Sequence, residues 1–315
     1  MKWRLIAPAR IHVNSVDLNG GLGRYGISVG FSINLPRLEV SFAPSDAIVA
    51  TGPDSKRARE FLRHIAEEFG WEGGIRLHVH QHIPVHVGLG SGTQLALACG
   101  VAWSLSRELV PQVHQIARAS ERSFFSGIGL ATFASGGFVV DQGYAPGNLV
   151  IKEPIAPLVR FAVPADWRVV VVIPNTPQQS KSHVIRLDEL RPPVSIQETR
   201  ELAHQVLVRL LPAIAGGDHD AFCKALSEVG NLGYKRQEME QYGTFITDLV
   251  QQLKMAGADC VGMSSGGPTV YAIMKDNSKT CTVQEAAKSY LVKYEGGQVF
   301  VASFDNAGAR WFQDT

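Results

Sequence analysis

The feature that most constrains this chain is the run Pro84-Val85-His86-Val87-Gly88-Leu89-Gly90-Ser91-Gly92-Thr93. It lies between an alternating segment, Ile75 to Val79, and a stretch that is apolar on nearly every face, Gln94 to Leu105. Alternation predicts a strand, and a helix that is apolar all round must be buried. A turn of small residues between the two leaves backbone N–H groups uncovered at the positive end of the helix, where phosphate oxygens settle without a side chain intervening. Glycine-rich turns also serve as plain connectors, so this run needs its context to carry a function.

The context is mixed. Lys2 to Ile6, Arg10 to Val13, Ile27 to Ile33 and Leu38 to Phe42 are short β-prone runs separated by glycine and proline. Asp54 or Ser55 is placed to cap a helix carrying Ala58, Phe61, Leu62, Ile65 and Phe69 at helical spacing. Past the glycine-rich run, Pro111 to Ser123 reads as a helix, and Gly127 to Gly137 as a linker into the strand Phe138 to Asp141. Trp167 to Ile173 is a strand, and long helices follow around Ile196 to Ala215, Asp218 to Val229 and Met239 to Ala256. Strands Asp259 to Met263 and Thr269 to Met274 flank a second glycine-rich turn, before a helix Val283 to Lys293 and a strand Gln298 to Ser303. The pattern is α+β, and a boundary near Pro164 divides it into 1–164 and 165–315.

Composition narrows the function. Thirty Lys+Arg against 29 Asp+Glu give no nucleic-acid footprint, and 45% apolar residues exclude disorder, so a small phosphorylated partner fits best. Cys99, Cys223, Cys260 and Cys281 form no C-x-x-C pair, which suggests neither a zinc site nor a disulfide framework but reduced thiols in a cytoplasm. The first ten residues lack a signal-peptide core, and the apolar run Val169 to Ile173 is far shorter than the roughly 20 residues of a membrane helix.

The run from Pro84 resembles the second motif of the GHMP kinases (galactokinase, homoserine kinase, mevalonate kinase, phosphomevalonate kinase), with Gly92 where that family usually has a second serine. Ala7-Pro8-Ala9-Arg10-Ile11-His12 resembles their first motif, and Gly262-Met263-Ser264-Ser265-Gly266-Gly267-Pro268 their third. The resemblance implies a two-domain GHMP kinase fold, with an N-terminal domain like domain 2 of ribosomal protein S5 and a ferredoxin-like C-terminal domain. One departure bears on chemistry. Where the mevalonate kinase pattern carries the aspartate that acts on the substrate hydroxyl, Ser126-Gly127-Ile128-Gly129 places Gly129.

Ser91-Gly92-Thr93-Gln94-Leu95-Ala96-Leu97-Ala98, Gly136-Gly137-Phe138-Val139-Val140-Asp141, the third motif with Thr269-Val270-Tyr271-Ala272-Ile273, and Asp17-Leu18-Asn19-Gly20 with Gly23-Arg24 are similar to β-ribofuranosylaminobenzene 5-phosphate synthases. That resemblance implies a GHMP-fold transferase of methanopterin biosynthesis, without kinase activity. It would join phosphoribosyl pyrophosphate to 4-aminobenzoate or 4-hydroxybenzoate with release of carbon dioxide and pyrophosphate. Gln178-Gln179-Ser180-Lys181-Ser182 departs from the acidic, glycine-serine turn expected there.

The resemblance to the GHMP kinases assigns the polyphosphate to Gly88, Leu89, Gly90, Ser91, Gly92 and Thr93, together with Ser264, Ser265, Gly266 and Gly267. It gives Mg²⁺ to Ser91 and Glu121. Arg10, His12, Arg24 and Asp141 are the candidate catalytic residues, the arginines because a planar fork suits carboxylate and phosphate. Plainer readings stand beside these. Glu121 also fits a solvated surface charge, His12 a pocket-lining histidine and Asp141 a strand-end cap. His78, His80, His82 and His86 read as a metal set or, lacking a paired carboxylate, as a polar strand face. A small-molecule kinase and a catalytically silent binding protein are the competing functions. A cytoplasmic homodimer is expected, although the sequence itself leaves the oligomeric state open, as it does the choice between the two benzoates.

Overall fold

The N-terminal β-prone runs merge into two long antiparallel strands, β1 (Trp3–Asp17) and β2 (Gly26–Ser45). The expected breaks at proline become irregularities within continuous strands: the register shifts between Pro8 and Ala9, where Pro8 faces Arg37 and Ala9 faces Ile33. A bulge is where a strand tolerates the missing N–H of proline. The computed structural model describes residues 2–145, 153–176 and 194–314, so the departure at Gln178 to Ser182 lies outside the described residues.

The first sheet runs β11 (Arg310–Gln313), β1, β2, β4 (Gly74–Gln81), β3 (Val49–Thr51), with β5 (Phe138–Asp141) paired to β2 and β6 (Pro157–Phe161) to β5. Three helices, α1 (Ser55–Phe69), α2 (Ser91–Ser106) and α3 (Val113–Ala119), accompany it. Asp54 precedes α1 without a side-chain cap and pairs instead with Arg57 at 2.6 Å. As its composition predicts, α2 is buried along most of its length, and Trp103 Nε1 donates to Leu62 O of α1 at 2.9 Å. The segment expected as a glycine-rich linker is instead helix α4 (Ile128–Ser135). Ile128, Leu130, Ala131 and Phe133 are buried there, and that packing overrides the low helix propensity of the glycines.

The second sheet has the order β10 (Gly297–Ser303), β7 (Arg168–Pro174), β9 (Val270–Met274), β8 (Cys260–Met263). Its helices are α5 (Ile196–His204), a π-helical turn Gln205–Leu210, α6 (Leu211–Gly216), α7 (His219–Val229), α8 (Tyr234–Glu240), α9 (Thr244–Met255) and α10 (Asn277–Val292). A division at residue 164 leaves β11 hydrogen-bonded to β1 in the first sheet. Phe31 of β2 meets Tyr271 of β9 edge-on at 5.5 Å and Phe304 at 4.9 Å, so one continuous core spans both sheets. Each such buried aromatic contributes about 2–3 kcal/mol. Among the described residues, no helix is long and apolar enough to cross a membrane.

Candidate functional site

The glycine-rich run leaves β4 and turns into α2 with Gly88 at φ 84° and Gly90 at φ 76°, backbone angles that side chains disfavour. Space forbids them as well. A Cβ at Gly88 would stand 2.3 Å from the Ser264 carbonyl oxygen, and one at Gly90 2.7 Å from Arg10 Cγ. The first α2 hydrogen bond runs from Gln94 N to Gly90 O at 3.1 Å, and among the described residues the amides of Ser91, Gly92 and Thr93 have no backbone acceptor. Three adjacent free donors at a helix N-terminus form a seat for an anion.

The three motifs meet at this turn. Arg10 Nη1 donates to Gly88 O at 2.6 Å, and Ser264 Oγ donates to the same oxygen at 2.7 Å. Ser264 Oγ also accepts the His12 amide at 3.0 Å, while Ser265 N donates to His12 O at 2.8 Å. Burial pulls the Arg10 guanidinium down to about 10, opposed by Glu238, which leaves it charged at neutral pH. Burial, then the charges of Arg10 and Lys235, hold His12 well below the usual histidine range. Its ring is therefore neutral, with Nδ1 buried and unpartnered. Arg10, His12, Gly88 to Thr93 and Ser264 to Gly267 thus form one assembly.

Lys235 belongs to it and was not foreseen. Fully buried on α8, it donates to Ser265 O and to Glu238 Oε2, both at 2.6 Å, and Tyr242 Oη donates to Gly266 O at 2.6 Å. Burial lowers the Lys235 ammonium, and Glu238 opposes that. In sequence, Lys235-Arg236-Gln237-Glu238 reads as an ordinary solvated helix face. Nothing local marks Lys235 as the buried member.

The other expected residues lie around this centre. Ser91 opens α2 and is nearly buried. Glu121 falls beyond the end of α3, exposed, its amide donating to Arg118 O at 3.0 Å and its carboxylate without a hydrogen-bond partner among the described residues, so it is not the helical residue expected from Pro111 to Ser123. Its neighbour Arg122 lies over the Phe61 ring at 4.9 Å, with Nη1 3.9 Å from where a Cβ of Gly92 would be. Arg24 sits exposed in the β1–β2 turn, donating to Gln142 O at 2.5 Å and Gly143 O at 3.2 Å. Asp141 is buried: Oδ1 accepts from Ser28 N and Gly143 N at 2.8 and 3.0 Å, and Oδ2 from Gly127 N at 2.7 Å. Burial still raises its pKa above the ordinary aspartate value despite those donors, so its acidity is weakened. Of the two readings of Asp141, this geometry favours the structural one, a carboxylate that closes the turns around α4.

Gly129, on α4, faces the turn itself. A Cβ there would stand 3.0 Å from Thr93 Cγ2, and its carbonyl accepts from Gln94 Nε2 at 2.9 Å. His78 and His80 are exposed on β4 and bonded to Thr51 Oγ1 and Ser41 Oγ, whereas His82 and His86 follow the strand. Among the described residues, no group of three or more His, Cys, Asp or Glu side chains converges to hold a metal ion.

A turn of open amides held by three motifs far apart in sequence, two of them glycine-rich, on an α+β scaffold is the arrangement of the GHMP kinase fold. Residues 56–137 match the family described as GHMP kinases N terminal domain. The homoserine kinase of Cytophaga hutchinsonii superposes with TM-score 0.74 at 17% identity, over 99% of this chain and 97% of that one, a likeness of fold alone. The β-ribofuranosylphenol 5′-phosphate synthase of Archaeoglobus fulgidus is 38% identical over 87% of this chain and 88% of its own length. That of Methanothermobacter thermautotrophicus is 30% identical over 84% and 87%. The chain belongs to the β-ribofuranosylphenol 5′-phosphate synthase family, a family of enzymes, as its motifs indicated.

Proposed function

We propose that the protein condenses phosphoribosyl pyrophosphate with 4-hydroxybenzoate, yielding β-ribofuranosylphenol 5′-phosphate, carbon dioxide and pyrophosphate, a step of methanopterin assembly. The observation that carries this reading is Gly129 packed against Thr93, where the kinase pattern would carry a base. Phosphoryl transfer to an alcohol uses a carboxylate to orient or deprotonate the hydroxyl. An aromatic carbon attacking the ribosyl anomeric carbon has no proton to surrender first. The bond from that carbon to pyrophosphate breaks with its electron pair leaving on pyrophosphate, and the new carbon–carbon bond forms. The carboxyl group then departs as carbon dioxide, returning its pair to the ring. The phenol in the relatives' name favours 4-hydroxybenzoate over 4-aminobenzoate.

In this reading the amides of Ser91, Gly92 and Thr93 bind the pyrophosphate, and preorganised donors stabilise the charge it gains on leaving. Arg10 fixes the turn that presents those amides, and Arg24 and neutral His12 are the side chains we assign to the substrates. To Mg²⁺, an ion usually held by one or two protein oxygens with phosphates and waters completing its shell, we assign Ser91 and Glu121. Bound there, it would neutralise phosphate charge. We also read the protein as a homodimer of the cytoplasm, the compartment in which its free cysteines would stay reduced.

Mass detection of ribofuranosylphenol phosphate from purified protein, phosphoribosyl pyrophosphate, Mg²⁺ and 4-hydroxybenzoate tests the reaction, and its absence counts against it. For the metal, Glu121→Gln should raise the Mg²⁺ needed for half-maximal turnover about tenfold, the loss of one charged oxygen ligand. An unchanged Mg²⁺ requirement leaves Glu121 a solvated surface charge.

A further inference from the structure

Beside the glycine-rich turn opens a cavity of 740 Å³, walled by β2, by the residues leading into the turn and by the strands β7 and β10 of the second sheet. We propose that this cavity is the subsite for the aromatic acid, an assignment that rests on the synthase reading.

The volume lies in the range that small-molecule sites occupy, and ample room remains for one ring. Its walls are largely apolar. Leu35, Pro36, Val85, Val87 and Phe300 line it, and Val85 and Phe300 keep part of their surface open although both are large hydrophobic side chains. Such walls suit a planar ring through apolar contact. They suit a ribose phosphate poorly, because a doubly charged phosphate would be desolvated there without a cradle of amides.

Position and charge agree with a benzoate. Val87 lines the cavity and immediately precedes Gly88, so a ring against Val87 lies at the entry to the glycine-rich turn. The new bond forms at the ring carbon that bears the carboxylate. That end must face the turn, and the para substituent must face the opposite end of the cavity. Polar lining is present for it: Asn175 Nδ2 is committed to Glu295 O at 2.9 Å, which leaves its Oδ1 to accept from a phenol hydroxyl. Arg37 edges the cavity, and it shares the single carboxylate of Glu39 with Arg4, so the rim carries a surplus of positive charge that favours an anionic aromatic.

The test uses Phe300→Ala and Val85→Asp, the second at an exposed position where the fold is not at stake. Each should raise the KM for 4-hydroxybenzoate about tenfold or more, the loss of roughly one apolar contact surface or the addition of a repelling charge, with the KM for phosphoribosyl pyrophosphate unchanged. Equilibrium dialysis of labelled 4-hydroxybenzoate, with and without pyrophosphate, should show binding to the parent and its loss in both variants. If turnover is present but both variants keep the parent KM and dialysis profile, the aromatic acid binds elsewhere and the assignment fails. If the parent makes no product, the synthase reading fails, and dialysis still decides the cavity: variant-sensitive binding supports it, and no binding to the parent overturns it.

Discussion

Ser264 Oγ stands 2.7 Å from the carbonyl oxygen of Gly88, a hydrogen bond spanning 176 residues of chain. That oxygen also accepts from Arg10. With its carbonyl held by the first and third motifs together, the turn is fixed in the conformation that leaves the α2 amides open. The open turn is therefore held by segments far apart in the chain.

Gly90→Val should weaken pyrophosphate binding about a hundredfold, which is the loss of one or two charge-assisted hydrogen bonds. A branched side chain at φ 76° would meet Arg10 Cγ, so the turn must shift and carry the amides with it. Calorimetric titration of a folded variant measures this. Parent-like affinity would place the polyphosphate away from the turn.

Lys235→Met should destabilise the protein by about 3 kcal/mol, because it removes a buried cation and strands the Glu238 carboxylate and the Ser265 carbonyl. The double variant Lys235→Met/Glu238→Gln should recover part of that loss, since the Glu238 carboxylate is then not left without its ammonium partner. Urea unfolding of the single and double variants supplies the comparison. Strict additivity would mean that the pair acts independently in the fold.

His12 gives a pH dependence of known sign. Its native ring is held below the ordinary value of 6.5 by burial, Arg10 and Lys235, so as pH falls below 6.5 the unfolded chain takes up a proton that the native protein refuses. Stability then falls with pH, by about 1.4 kcal/mol per pH unit from this group. His12→Gln should flatten the decline below pH 6.5 by that slope and leave stability above pH 7.5 without a pH-dependent difference. Parallel curves for parent and variant would show that His12 protonates in the native state.

The sequence disclosed the backbone of the site more fully than its side chains. Glycine spacing and the two flanking periodicities announce Gly88 to Thr93, because a strand, a turn and a buried helix each leave a local pattern. The Gly127 to Gly137 segment misled because α4 is helical through burial of Ile128 and Phe133, a tertiary cause. Lys235 was illegible for the same reason: whether a lysine three residues before a glutamate faces water or a carbonyl depends on what packs above it. So was the meeting of distant cysteines. Cys223 and Cys260, read apart in sequence, come together beside His219, 3.6 Å from Cys223 Sγ; Cys260 first, then His219, lower the Cys223 thiol against its burial, while burial pushes Cys260 up.

The central claim is that the seat beside Gly129 serves ribosyl transfer and not phosphorylation. Its most direct test runs two labels in parallel on the parent and on Gly129→Asp. Carboxyl-labelled 4-hydroxybenzoate with phosphoribosyl pyrophosphate should release labelled carbon dioxide one-for-one with pyrophosphate from the parent. Gly129→Asp should release less, because a carboxylate forced against Thr93 repels the anionic substrate. Terminally labelled ATP should transfer nothing to homoserine, mevalonate or galactose with either protein. Robust transfer from ATP to an alcohol by the parent, without carbon dioxide release, would contradict the account.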